Sequence, residues 1–400
     1  MLGSRNQTLS KEIDTARCVG HWSSIAGLAA KYAKHNPGGH VFSSIISCEA
    51  KLEELLLEIA WNPNSHWKDE GSAMDDGQRR RIYYPMHLSS SASVALEPLE
   101  NEMRQISEGH KMTEEETFQL SVVLGKICFY GGRFDACSKA LQGLPQTIKQ
   151  DFGLSPAYGK QLFMAQMVMS GVLLEMGGDL KAAHAVYEAA LDGFSEKTQG
   201  SAVVIVPRNS AYEELVNWPE EALYRRAMVA VSMGNGDAAG AAALATYLQQ
   251  MDDATSASFR AMRRMRANRV YMGHLRKTKA PLAELSRAHA RQMMLLRAAF
   301  EFPRADETHA EVLDEVGYAA SDLSAGAPEC LVELLYAATS LTFNSPQVLQ
   351  HLISALERAG DFHEASLALR TYEQVAARQL EPVRKRLATS QPLDDKARRF

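Results

Sequence analysis

Four short turns, Gly132-Arg133-Phe134, Gly178-Asp179-Leu180, Gly236-Asp237-Ala238 and Gly360-Asp361-Phe362, each lie between two stretches whose apolar residues recur at helical spacing. Glycine followed by a polar residue ends one helix and starts the next, so a chain that repeats this device is built from helical hairpins. The clearest hairpin runs Met167, Gly171, Leu174, Gly178, Leu180, Ala183, Tyr187, Ala190. Small Gly171 and Ala183 let its helices approach closely, and Tyr187 and Leu174 fill the space between them. A second, Leu124, Gly125, Cys128, Gly132, Phe134, Cys137, Leu141, Leu144, keeps most of the same offsets. The hairpins around Ala241 and over Leu349, Leu352, Leu356, Phe362, Ala365, Leu369 are more degenerate.

This pattern predicts an all-α fold, a tetratricopeptide-like helical-hairpin solenoid with irregular repeats. The turn glycines stand 46, 58 and 124 residues apart, against the ~34-residue period of a regular array, so insertions or unmarked hairpins fill the gaps. A generic antiparallel bundle would use the same turns.

Along the chain, Ser10 is a candidate N-cap, Val19-Gly20-His21 a turn, Trp22 the start of a second helix, and Asn36-Pro37-Gly38-Gly39 its stop; residues 41–61 keep helical spacing. Residues 1–61 therefore read as N-terminal helices. Residues 62–92 lose periodicity and read as a loop or insertion, 93–378 as the helical solenoid, and 379–400 as a polar, basic tail. Val203–Val206 is strand-like but alone, and is expected as a buried connector. Asn217-Trp218-Pro219 and Asn344-Ser345-Pro346 mark helix starts.

The composition narrows the function. With 46% apolar residues there is ample core material, and a net charge of -5 argues against a nucleic-acid binder. Five scattered cysteines without a CxxC spacing indicate neither a disulfide framework nor a zinc site, which fits a reducing, intracellular setting. No N-terminal apolar signal and no stretch of about 18 uncharged apolar residues occurs.

Catalytic motifs are missing too. Gly125-Lys126 and Gly159-Lys160 continue into Ile and Gln rather than Ser or Thr, so no phosphate loop forms. The Asp pairs at 75–76, 252–253 and 394–395 lack a further Asp one turn on, and no metal or cofactor site is expected. His184, His289, His309 and His363 stand apart in helical patterns and read as surface or packing residues, and Cys128 and Cys137 as packed thiols on facing positions of one hairpin.

One charge feature stands out. Residues 260–297 hold eleven cations against one acid, Glu284. Arg260, Arg263 and Arg264 fall within about 100° of one helical face, and Arg287 and Arg291 share another. These five are the candidate docking residues for an acidic partner or an anionic membrane surface, each cation near the surface adding ~1 kcal/mol. The competing reading pairs them with acids of neighbouring repeats, such as Glu114-Glu115-Glu116, or leaves them solvated.

The segment Ala16-Arg17-Cys18-Val19-Gly20-His21-Trp22-Ser23-Ser24-Ile25 resembles the Arg-Cys-x-Gly-x-Trp opening of the tetratricopeptide-repeat scaffolds of the plasma-membrane phosphatidylinositol 4-kinase complex, the fungal cargo-transport or filamentation proteins. Residues Leu124 to Asp135 look like the first clear repeat of that family, and Phe302 to His309 and Leu341 to Ser345 also resemble its fungal members. The resemblance implies a non-enzymatic adaptor, cytoplasmic and peripheral at the plasma membrane. It would bridge a lipid kinase to a membrane-anchored partner and support endocytic cargo transport. Family members continue into a second, more regular array, so this chain would correspond to their N-terminal portion. A peptide-clamping co-chaperone that grips acidic tails is the rival binding module, and an all-helical enzyme the rival from another class.

Overall fold

The computed structural model describes residues 2–18, 20–61, 67–68, 87–88, 93–145, 156–194, 196–198, 201–203, 217–233, 238–251, 258–299 and 305–389. The chain divides into two compact units, Met1–Thr255 and Ser256–Phe400, with the boundary inside the stretch expected as one solenoid. Each unit is a stack of antiparallel helical hairpins, the all-α architecture anticipated from the turns.

In the first unit the described helices are α1 (Leu2–Cys18), α2 (Trp22–His35), α3 (His40–Trp61), α4 (Glu97–Gly109), α5 (Glu114–Tyr130), α6 (Phe134–Leu141), α7 (Pro156–Met176), α8 (Leu180–Phe194), α9 (Trp218–Ser232) and α10 (Ala238–Met251). Consecutive helices pack in pairs, α1 on α2, α5 on α6, α7 on α8 and α9 on α10, and each hairpin then meets the next through contacts such as α5 with α7 and α7 with α9. The second unit holds α11 (Ser258–Thr278), α12 (Leu282–Ala299), α13 (Ala305–Leu323), α14 (Pro328–Leu341), α15 (Pro346–Ala359) and α16 (Phe362–Thr389). There too each helix touches its neighbour and, from α12 onward, the next but one. Its core joins Leu296, Val316, Leu335, Leu352 and Ala365 across five helices.

The marked turns at Gly132, Gly178 and Gly360 lie between helix pairs, and Gly236-Asp237 lies outside the described residues. At Gly132, Gly178 and Gly360 the backbone turns left-handed, with φ of 69°, 83° and 81°. There the amide of the following residue donates back to a carbonyl five residues earlier, as in Asp179 N to Leu174 O at 3.0 Å and Asp361 N to Leu356 O at 2.9 Å. The aspartates then serve the next helix: Asp179 Oδ1 accepts from Ala182 N at 3.0 Å, and Asp361 Oδ1 from Glu364 N at 3.1 Å. One Gly-Asp pair thus closes one helix and caps the next. The same closure occurs at Gly20, at Lys279 (φ 53°) and at Phe343-Asn344 (φ 50° and 59°). The last two pay the left-handed conformation with side chains present, so glycine counting could not see them.

Gly171 packs as expected: a Cβ there would lie 2.4 Å from the Tyr187 ring, and one at Gly125 2.8 Å from Leu141. The two contacts join residues sixteen apart in both hairpins, so they share a register.

Several expectations change. Helix α1 begins at Leu2, so Ser10 lies inside it rather than at its start. The 62–92 insertion falls outside the described residues apart from β1 (Trp67–Lys68) paired antiparallel with β2 (His87–Leu88). Val203 is no lone connector: it ends β4 (Ser201–Val203), paired with β3 (Glu196–Thr198). Helix α16 continues to Thr389, past residue 379 where the polar tail was expected. Asn217 caps α9 by accepting from Glu220 N, whereas Ser345 makes no side-chain cap bond.

Gly171→Ala is expected to destabilise the chain by about 2–3 kcal/mol, because the buried Tyr187 ring must move. Gly360→Ala, with open space around its Cβ, should cost only the left-handed backbone, about 1–2 kcal/mol. Urea unfolding followed by circular dichroism orders the two.

Candidate functional site

The cation-rich stretch forms the hairpin of α11 and α12, and the structure separates its arginines. Arg263 and Arg264 are buried, at 6% and 3% exposure, among the packed side chains of α11. Arg260 is in the first turn of α11, and its side chain lies outside the described residues. Arg291 is half-buried, its Nη1 3.4 Å from Asn268 Oδ1, while Asn268 Nδ2 donates to Ala288 O at 2.8 Å and ties α11 to α12. Of the four candidates with described side chains, Arg287 alone is exposed, its Nε donating to Ala283 O at 3.2 Å. Two of the residues expected to dock a partner, Arg263 and Arg264, are thus buried in this structure.

Within the second unit, acids of α13 meet this hairpin. Arg269 Nη2 reaches Glu311 Oε2 at 3.2 Å, and Arg276 Nε reaches Asp322 Oδ2 at 2.7 Å while its guanidinium lies 5.5 Å from the Tyr318 ring. Between them His289, fully buried, places Nδ1 2.5 Å from Glu315 Oε1 and Nε2 2.8 Å from Asp322 Oδ2. Glu311, Glu315 and Asp322 recur at four and seven residues and so line one stripe of α13. His289 is an interior strut that ties α12 to α13. The signal for it was a spacing on a different helix, which no local pattern reveals.

What α12 presents to solvent is another stripe. Ala283, Arg287, Ala290, Met294 and Arg297 are exposed, at the four-then-three spacing of one helical face, with Met294 70% exposed. Small residues alternate with two guanidinium groups and a flexible thioether. Such a surface accepts a partner closely, adapts to its shape and favours acidic groups.

The first unit contributes rigidity through buried ion pairs. Arg17 of α1 donates to Glu49 of α3 at 2.6 Å, and Lys126 of α5 lies 3.7 Å from Glu49 and 3.2 Å from Glu53, all four side chains at 0% exposure. Lys126 also stands 5.9 Å from the Trp218 ring of α9. Farther along, Arg225 of α9 pairs with Glu175 of α7 at 3.3 Å and with Glu221 one turn back at 2.7 Å, and the Tyr187 hydroxyl of α8 donates to Glu175. Burial raises the Glu175 pKa against the pull of Arg225; burial opposes the charge on Arg225, but Glu175 and Glu221 hold its pKa well above the ordinary value.

The motif residues Arg17 and Trp22 are both structural. Trp22 is buried with Ile13, Ile25 and Ile46, and Gly20 makes the left-handed turn between α1 and α2. Cys128 and Cys137 are both buried; burial pushes the Cys128 thiol up to about 11 and raises Cys137 further, and Cys48 stands at about 12 for the same reason. His184 lies 3.5 Å from Glu188 on its own helix, and His363 is exposed. The Asp pairs at 75–76, 252–253 and 394–395, and the side chain of His309, lie outside the described residues. Among the described residues no group of three or more His, Cys, Asp or Glu could hold a metal, and no helix is long and apolar enough to cross a membrane.

No protein-family model matches the chain, and no curated protein matches it in sequence. Among solved structures, the TPR domain of P58(IPK) aligns over 97% of this chain and 99% of that chain at 12% identity and a TM-score of 0.20. An alignment that loose carries no argument, and the assignment of hairpin repeats rests on the helices and turns themselves.

Two outcomes test this arrangement. Arg264→Glu is expected to lower the urea midpoint sharply, by about 3 kcal/mol or more in stability, since it reverses a buried charge; Arg287→Glu should stay within about 0.5 kcal/mol of the parent. In a Cys18→Ser background, Cys330 alone should react with Ellman's reagent at pH 8, because the buried thiols keep a thiolate fraction on the order of 0.1% or less.

Proposed function

We propose that this chain is a non-enzymatic protein-binding scaffold that docks a partner on the outer stripe of α12. The observation that carries the reading is that stripe: two arginines and a 70%-exposed methionine on a helix whose other faces are fixed by interior contacts. Stacked hairpins offer broad rigid faces, and a rigid face loses little entropy on binding.

The finer reading is that the scaffold serves a phosphatidylinositol 4-kinase assembly at the plasma membrane and thereby endocytic cargo transport. It rests on the resemblance of residues 16–25 and 124–135 to that family. Docking then uses Arg287, Met294 and Arg297, with Arg291 beside them and Arg260 at the far end of the hairpin. Arg263 and Arg264 act as interior supports. The partners are proteins, a lipid kinase and a membrane-anchored adaptor, with the anionic inner leaflet as a secondary contact.

The test is affinity purification of the tagged chain from its native cells, beside Arg287→Glu/Met294→Asp. Recovery of a phosphatidylinositol 4-kinase or its membrane anchor with the parent, and its loss with the folded variant, is the expected result. Recovery of chaperones alone favours a peptide clamp and overturns the kinase reading. Equal recovery from both proteins overturns the α12 surface.

A further inference from the structure

Helix α12 is fixed to α13 by a contact that calls for one proton more than a neutral histidine supplies. His289 is fully buried, with Nδ1 2.5 Å from Glu315 Oε1 and Nε2 2.8 Å from Asp322 Oδ2. A neutral imidazole carries one N–H and presents a lone pair at its other nitrogen. Between two carboxylates, that lone pair would meet a negative oxygen at hydrogen-bond distance. An imidazolium donates from both nitrogens and satisfies both acids.

The surroundings of the two acids point the same way. Glu315 is 1% exposed, His289 is its one polar partner among the described residues, and its Oε2 has none. A carboxylate so placed needs an opposite charge beside it. Asp322 Oδ2 also accepts from Arg276 Nε of α11 at 2.7 Å. With His289 protonated, two positive and two negative groups balance; with it neutral, one negative charge is left over in the interior.

The other charged and titratable groups around the joint do not supply that charge. On α11, Arg269 is engaged by Glu311, one turn before Glu315, Tyr271 packs against the apolar cluster that holds Ala288, and His274 is half-buried. Glu284 and Arg291 lie roughly 140° and 160° round α12 from His289. Helix α14 turns Leu331, Leu334 and Leu335 inward, while its Glu329, Cys330, Glu333 and Tyr336 are exposed.

From this geometry we infer that the α12–α13 joint is a proton-dependent latch: His289 is held as an imidazolium between Glu315 and Asp322, and the latch weakens when the proton leaves. Asp322 and Arg276 are partly exposed at the edge of the joint, which sets the proton next to solvent. A histidine of the unfolded chain gives up its proton near about pH 6.5. Above that pH the folded chain binds one proton more than the unfolded chain, so stability falls as pH rises. The contribution is whole below about pH 6.5 and is gone once the imidazolium has lost its proton. The latch does not depend on what docks along the outer stripe of α12.

Urea unfolding of the full chain at pH 6.5 and at pH 8.5, followed by circular dichroism, compares the parent with Glu315→Gln. In the variant the amide can donate to Nδ1 while Nε2–H donates to Asp322, so a neutral imidazole is satisfied and the extra proton is not needed. One linked proton changes the folding equilibrium by up to about tenfold per pH unit. Between the two conditions the folding equilibrium constant of the parent should fall at least about fivefold further than that of the variant; a smaller difference overturns the inference. Should Glu315→Gln fail to fold, nitrogen-15 NMR of the parent with labelled histidine decides. At pH 7.5 one imidazole should carry protons on both ring nitrogens, and the absence of any doubly protonated ring overturns the latch.

Discussion

Lys126 places a positive charge where water cannot reach it, and the packing of the first unit's early helices follows from how that charge is held. A buried ammonium costs several kcal/mol unless partners stand close, and its partners are Glu49 and Glu53, one turn apart on α3, with Arg17 of α1 completing a two-plus, two-minus cluster. The cluster is satisfied only when α1, α3 and α5 stand in one register. Apolar side chains alone would tolerate a shifted packing, whereas a shifted lysine would leave carboxylates unpaired in the interior. Arg225 does the same for α7, α8 and α9 through Glu175 and Tyr187, and His289 for α12 and α13 through Glu315 and Asp322. An array with irregular spacing between its turns lacks the self-consistency of identical repeats. Here buried polar joints supply what repetition would otherwise give.

The turns were legible because glycine in the left-handed region has a steric reason that survives in any context. Gly132, Gly178 and Gly360 show it directly, and the aspartates after the last two add a cap. The closures at Lys279 and at Phe343-Asn344 carry no turn glycine, so at the second the sequence marked only the helix start at Asn344-Ser345-Pro346, and tertiary packing holds the left-handed backbone at both. The tight approach of Gly171 to Tyr187 was legible as well, from small and large residues at matching offsets.

The candidate site was only partly legible. A helical wheel shows that Arg263 and Arg264 share an arc but not which way the arc points, and arginine stems pack readily inside when partners are near. Burial of Lys126, Arg225 and Glu175 had no sequence signal either, because Lys126 meets Glu53 and Arg225 meets Glu175 across 50 or more residues and one residue type cannot announce another's position. The Arg-Cys-x-Gly-x-Trp segment was conspicuous in sequence for what proves a folding role: Arg17 locks α1 to α3, Gly20 turns the chain, and Trp22 fills the core. The exposed face of α12 sets Met294 beside Arg287 and Arg297.

The most direct test of the central role of the buried joints is hydrogen–deuterium exchange of the full chain with Lys126→Met. Removing the lysine leaves Glu49 and Glu53 short of a partner, a loss of about 3–5 kcal/mol. The account predicts that amides of α1, α3 and α5 lose protection together while those of α11 to α16 keep theirs. Loss confined to α5, with α1 and α3 exchanging as in the parent, would contradict it.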